Sequence, residues 1–170
     1  MWDSMPGIDS KPNPPRVGSQ REKGQTLVEF AFMAVLFFTI LFGILEFSRA
    51  LWTWNTIVQA TRAGARFAVV ETPTADDAQV KNFVVYHNAA GTGAPVLPGL
   101  STSNVSVNYY KINPSTGAYE APPGNNKYQA DLLQLSITGY TFNFVVPLFG
   151  SGITLPAFTT TLSLEGLGAS

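Results

Sequence analysis

The carboxylate of Glu29 stands near the head of an apolar run, and the next charged side chain after it is Glu46. A charge inside a membrane helix costs about 2.5–3.5 kcal/mol at the centre and less toward an end. An acid in this position is therefore a functional candidate by default. On charge alone two readings stay open: Glu29 reaches lipid headgroups at the nearby basic end, or it is kept for a partner of opposite charge. Glu46 and Arg49 have the spacing of an intrahelical pair at the far edge of the run, or they contact neighbouring helices. Arg62 and Arg66 share a helix face and suit lipid headgroups, an acidic partner or simple solvation.

Other chemistry is sparse. The chain has no cysteine, which excludes disulfides, thiol catalysis and thiolate metal sites. His87 is the single histidine, so no histidine-based metal cluster can form. Asp76 and Asp77 can ligate calcium, or cap a short helix and favour its dipole. Asn104-Val105-Ser106 matches a glycosylation sequon. The segment "FGSGI" at 149–153 lacks the nucleophile-elbow pattern. No catalytic residue, cofactor or metal is expected, and the chain does not read as an enzyme. Ten basic against 11 acidic residues, a net charge of -1, give no electrostatic case for a nucleic-acid partner.

The elements that position these residues follow from composition. Residues 1–24 are rich in Pro, Gly, Ser and charge and read as a leader. A secretory signal places its apolar core ahead of the cleavage site, whereas here the apolar run follows Gly24. From Phe30 to Leu45 no residue is charged, and Leu, Phe, Ile and Val occupy every face. Spanning a bilayer takes about 20 such residues, which predicts a membrane segment over about 27–47. Arg21 and Lys23 on its N-terminal side predict a cytoplasmic N-terminus and an extracytoplasmic C-terminus.

Helical periodicity continues past the span, predicting one helix over 25–71. Gln59, Arg62 and Arg66 form its polar side, and Ile57, Ala60, Gly64 and Phe67 form an apolar, small-residue stripe. Trp52 and Trp54 fall just beyond the span, where amphipathic rings favour the interface. A helix of this length runs roughly 65–70 Å at ~1.5 Å per residue, over twice the hydrocarbon thickness. Its second half must therefore pack on protein, either its own C-terminal domain or neighbouring copies.

Thr72-Pro73 ends the pattern, and residues 72–170 read as a small α+β domain. A short helix capped by Thr74 and closed by Gly91 comes first. "NVSVNYYKI" then alternates Val105, Val107 and Tyr109 against Ser106, Asn108 and Tyr110. "QADLLQLSITGYTFNFVVP" places Leu133, Leu135 and Ile137 on one side, with a bulge or bend expected at Gly139. "ITLPAFTTTLSLE" supplies a last strand broken at Pro156. Three or four antiparallel strands are expected to cover helical surface. Tyr109, Tyr110, Tyr119 and Tyr128 form either a docking face or ordinary strand aromatics.

The stretch from Lys23 through Gly24, Gln25, Val28 and Glu29 to Phe30 resembles the processing site of type IV pilin-like precursors. It has a small residue before the cut, an acid fifth after it and an apolar helix beyond. The segment "GQTLVEFAFMAVLFFTILFGILEFSRALWTWNTIVQATRAGARFAVV" is similar to the tight-adherence (TadE-like) pseudopilin family. That family's recurring features fall here on Gly24, Gln25, Val28-Glu29-Phe30, Gly43, Glu46-Phe47, Arg49-Ala50, Ala60, Arg62 and Gly64-Ala65-Arg66.

The resemblance implies a membrane-embedded prepilin peptidase, an aspartyl protease, cutting between Gly24 and Gln25. It implies that Glu29, with Phe30, sets the register against the N-terminal amine of an adjacent subunit. Glu46, Arg49, Arg62, Gly64 and Arg66 would serve helix packing or partner contact. The implied partners are other pilin-like subunits, the peptidase, the inner-membrane pilus assembly machinery, and membrane lipid before assembly. The implied location is a bacterial inner membrane, with incorporation into a cell-surface pilus and retention at its base both left open. The long C-terminal part argues for a minor subunit that initiates, caps or supports a filament. The rival reading is an uncleaved bitopic membrane protein with an extracytoplasmic scaffold or binding domain. Gln25 as a new N-terminus can cyclise, which would remove the amine that Glu29 requires.

Overall fold

The computed structural model describes residues 18–70 and 76–164, with side chains from Gly24 onward except that of Asn125. Two compact units divide the chain, the first ending at Gly43 and the second beginning at Ile44. Helix α1, Gly18–Val70, contributes residues to both. No proline falls between Pro15 and Pro73, so nothing in that interval removes a backbone donor. The helix consequently begins ahead of Gly24, earlier than the start expected at its junction with the leader. Residues 1–17, Thr72, Pro73 and Thr74 lie outside the described residues, as do the side chains of Arg21 and Lys23.

In the first unit the described residues are all α1, and none of the side chains from Gly24 to Gly43 is buried. The second unit holds the core. There α1 buries Thr53, Ile57, Ala60, Thr61, Gly64, Ala65 and Ala68, a stripe at steps of three and four. The expected apolar stripe is thus present, with Phe67 at its half-buried edge. Thr61 satisfies its buried hydroxyl by donating to the Ile57 carbonyl.

The short helix α2, Asp77–Tyr86, is capped by Asp76 rather than by Thr74. Asp76 accepts from the Gln79 amide while the Gln79 side chain accepts from the Asp76 amide, a reciprocal box that satisfies two orphan donors. Its closing residue is His87 rather than Gly91. His87 adopts a left-handed φ of 51° and donates its N–H to the Phe83 carbonyl. The His87 ring stacks on Phe83, which itself stacks on Phe67 of α1.

Four strands, β1 (Val105–Ile112), β2 (Tyr119–Glu120), β3 (Leu132–Ile137) and a final strand (Phe158–Ser163), form an antiparallel sheet. Between β3 and that final strand lie β4 (Thr141–Phe142) and β5 (Ile153–Thr154), paired with each other as a separate ribbon, so the final strand is β6. The four-stranded order is β2-β1-β3-β6. Val107 stands opposite Leu135 and Tyr109 opposite Leu133, and Ile137 opposite Phe158, so one face of the sheet is apolar and buried. The predicted alternations of β1 and β3 are observed. Gly139, with φ of 69°, turns the chain out of the sheet, and β4 continues in the ribbon rather than across a bulge. β2 falls in a connection that its turn-rich composition left unassigned.

Tyr109 is buried, so it does not join an exposed aromatic face; its hydroxyl donates to the Asp77 carboxylate and ties β1 to α2. Burial, and then the nearby Asp77 charge, push the Tyr109 phenol above the ordinary tyrosine range. Tyr119 and Tyr128 are exposed. Asn104 holds both ends of its amide inside the fold, donating to the Thr138 carbonyl and accepting from the Ser101 amide.

Gly64 sets how closely α1 approaches its neighbours, because a Cβ there would meet Val84 Cγ2 at 2.2 Å and Leu135 Cδ1 at 3.3 Å. Gly64→Ala should destabilise the fold by about 1–3 kcal/mol through overpacking, with roughly 1 kcal/mol returned by helix propensity. Combining it with Val84→Ala should restore part of the loss. Denaturant titration of both variants and the double variant checks this coupling.

Candidate functional site

From Leu27 to Leu45 the large apolar side chains of α1 are all exposed. Leu27, Phe30, Phe32 and Met33 each keep about 70% of their surface accessible. Over Gly24–Val70 the helix is long and apolar enough to cross a membrane. Hydroxyls along this surface are satisfied within the helix: Thr39 donates to the Val35 carbonyl and Ser48 to that of Ile44. Such back-bonding leaves no hydroxyl proton to be solvated by water that lipid would exclude.

Gln25 and Glu29 occupy successive turns of α1, and the Gln25 amide donates to Glu29 Oε1 at 3.0 Å. Both side chains are exposed, as is Gly24. The carboxylate therefore remains accessible to a cation arriving from outside the chain. Among the described residues, nothing beyond the helix's own neighbouring backbone comes within 4 Å of where a Gly24 Cβ would stand.

Glu46 is different in kind. It is 4% exposed and the first buried residue on α1 among those with described side chains. Its Oε1 accepts from the amides of Val145 and Val146 at 2.6 and 2.8 Å, and its Oε2 pairs with Arg49. The Arg49 guanidinium also lies over the Phe142 ring, 5.2 Å from its centroid. The intrahelical pair expected from spacing is present. Sequence spacing could not reveal the two backbone donors, which lie 99 and 100 residues away. A charge this buried is tolerable because each carboxylate oxygen has a donor.

Arg62 and Arg66 are exposed and, with Gln59, Ala63, Thr160 and Leu162, line a cavity of about 490 Å³ beside edge strand β6. Gly64 faces inward against Val84, away from these arginines' exposed side. Trp54 packs edge-on against Phe158, while Trp52 stays exposed. Residues 24 to 66 match the family model described as TadE-like protein. That interval takes in Gly24, Gln25, Glu29, Glu46, Arg49, Arg62 and Arg66 together. Comparison with curated proteins and with solved structures gives no match.

Replacing Glu46 by Ala should free the segment it holds. Hydrogen exchange at the Val145 and Val146 amides should accelerate strongly, while the β1–β3 amides stay protected. Glu46→Gln, which keeps one carbonyl acceptor but loses the charge, should give an intermediate rate.

Proposed function

We propose that the chain is a minor pseudopilin of a tight-adherence, type IV-like pilus system. In this reading α1 is inserted in a bacterial inner membrane, with its N-terminus cytoplasmic. A prepilin peptidase cuts between Gly24 and Gln25, and the released helix packs against other pilin-like subunits to initiate, cap or support a filament. The observation that carries the proposal is a coincidence of positions. The TadE-like match, residues 24 to 66, takes in both the exposed apolar helix surface from Leu27 to Leu45 and the accessible acid Glu29.

The physics of the acid supports the same reading. In lipid near the helix end Glu29 can reach the headgroups, and in a helix bundle it needs a cation. The new amine at Gln25 of an adjacent subunit would supply one. Misregistered copies would leave both charges unpaired, so the pair would select axial register. Gln25 lies one turn from Glu29 and contacts it, so a cut after Gly24 would place the new amine at the same end of the helix as the acid.

One feature favours the rival, a permanently anchored membrane protein with an extracytoplasmic scaffold domain. α1 runs unbroken from Gly18, so the Gly24–Gln25 bond lies within a helix. A protease needs that bond extended, and the helix must open locally before it can be cut. Gly24 makes opening easier by about 1 kcal/mol relative to Ala.

The test is the N-terminal mass of the chain from cells with and without prepilin peptidase, alongside Gly24→Leu. The expected result is a peptidase-dependent chain beginning at Gln25, as glutamine or its cyclised form, with Gly24→Leu left uncut. An intact leader in peptidase-positive cells would favour the anchored scaffold.

A further inference from the structure

We propose that the tip of the β4–β5 ribbon, residues 143–152, is a second membrane contact, seated in the outer interface of the bilayer that α1 crosses. The inference rests on α1 spanning a membrane and is indifferent to whether the leader is cut.

The course of the chain beside α1 points that way. Tyr140 and Thr141 share a cavity of about 310 Å³ with Trp52 and Thr53. Phe142 lies under Arg49, and the Val145 and Val146 amides bond Glu46. Residues 140 to 143 thus line a cavity with Arg49, Trp52 and Thr53, and Val145 and Val146 meet α1 earlier, at Glu46. The segment is heading toward Leu45 and Ile44, the last exposed apolar residues before Glu46. A short 3-10 turn, Pro147–Phe149, then reverses it into β5.

The tip's chemistry suits lipid. Val145, Leu148, Phe149 and Ile153 are exposed, with Leu148 at 66% and Val145 at 69%. No charged residue occurs anywhere from Leu132 to Leu164. The tip is also braced from within, Phe144 packing edge-on to Phe142 and tilted against Phe149. A braced, uncharged, apolar loop in water is unfavourable, whereas at an interface its rings and branched side chains find cover. Lipid is the occupant because the Val145 and Val146 amides hold the tip to Glu46, whose sequence neighbours Ile44, Leu45 and Phe47 on α1 are themselves exposed and apolar. The exposed apolar run from Leu27 to Leu45 is itself about 28 Å long at ~1.5 Å per residue, close to one hydrocarbon thickness.

The chain's lack of cysteine makes the test direct. Single cysteines are introduced in the full chain as Leu148→Cys, Ile40→Cys and Ser115→Cys, labelled with an environment-sensitive dye, and placed in phosphatidylethanolamine–phosphatidylglycerol vesicles. Ser115 lies in the β1–β2 turn, at the end of the β1–β3 pair away from the tip. The expected result is a blue-shifted probe at 148, quenched several-fold more by lipids carrying a nitroxide near the headgroup than by deep-chain nitroxides. The probe at 40 should show the opposite depth preference, and the probe at 115 should be quenched by neither. A probe at 148 as water-like as that at 115, with the probe at 40 quenched, overturns the proposal while leaving the span intact. An unquenched probe at 40 removes the span and the proposal with it. A shift at 148 that appears only at high protein-to-lipid ratio, without lipid quenching, assigns the patch to a second copy and likewise overturns it.

Discussion

Water is a poor solvent for α1 between Leu27 and Leu45, where every large apolar side chain is exposed. Exposed apolar surface carries a penalty of about 25 cal/mol per Å², so a segment of this kind is stable only where lipid or another apolar helix covers it. The remaining features of the chain can be ordered by that requirement. Within the second unit α1 changes character, burying Ile57, Ala60, Gly64 and Ala68 against α2 and the sheet. One continuous secondary-structure element thus serves two solvents: the early part has a surface suited to lipid or helix packing, the later part belongs to an ordinary protein core.

The two acids at either end of the exposed run illustrate how differently a carboxylate can be accommodated. Glu46 is satisfied by its own chain through two backbone amides and Arg49. Glu29 has a neutral amide beside it and remains accessible. A charge with complete internal compensation fixes structure, here the approach of the segment around Val145 to α1. A charge with no cation beside it among the described residues can take a partner, and under the proposed function it takes the amine of a neighbouring subunit.

Much of this was legible in the sequence, because the strong signals are periodic. The stripe through Ile57 and Gly64 and the alternations of β1 and β3 each repeat a geometric period several times, and the uncharged run from Phe30 to Leu45 is marked by its length instead. Single-residue signals fared worse. Thr74 and Gly91 have the right types to cap and close α2, yet Asp76 and His87 hold those positions, since the Asp76–Gln79 box satisfies two donors at once. Tyr109 was ambiguous between core and docking face because a tyrosine in a strand suits either, and only the register opposite Leu133 decides it. The Glu46 contact to Val145 and Val146 was invisible for a more basic reason: backbone amides carry no side-chain signature. Nothing in residue types marks which of the chain's amides a distant carboxylate will choose.

Under the proposed function, the exposed surface around Glu29 exchanges lipid for another pilin-like helix. The most direct measurement places the photo-crosslinking residue p-benzoylphenylalanine at Phe32, in cells that hold the assembly machinery, and identifies the adducts by mass spectrometry. The expected result is adducts between the processed chain and other pilin-like helices, and their loss in Glu29→Ala although that variant is still processed. Adducts confined to lipid, unchanged in Glu29→Ala, would contradict it.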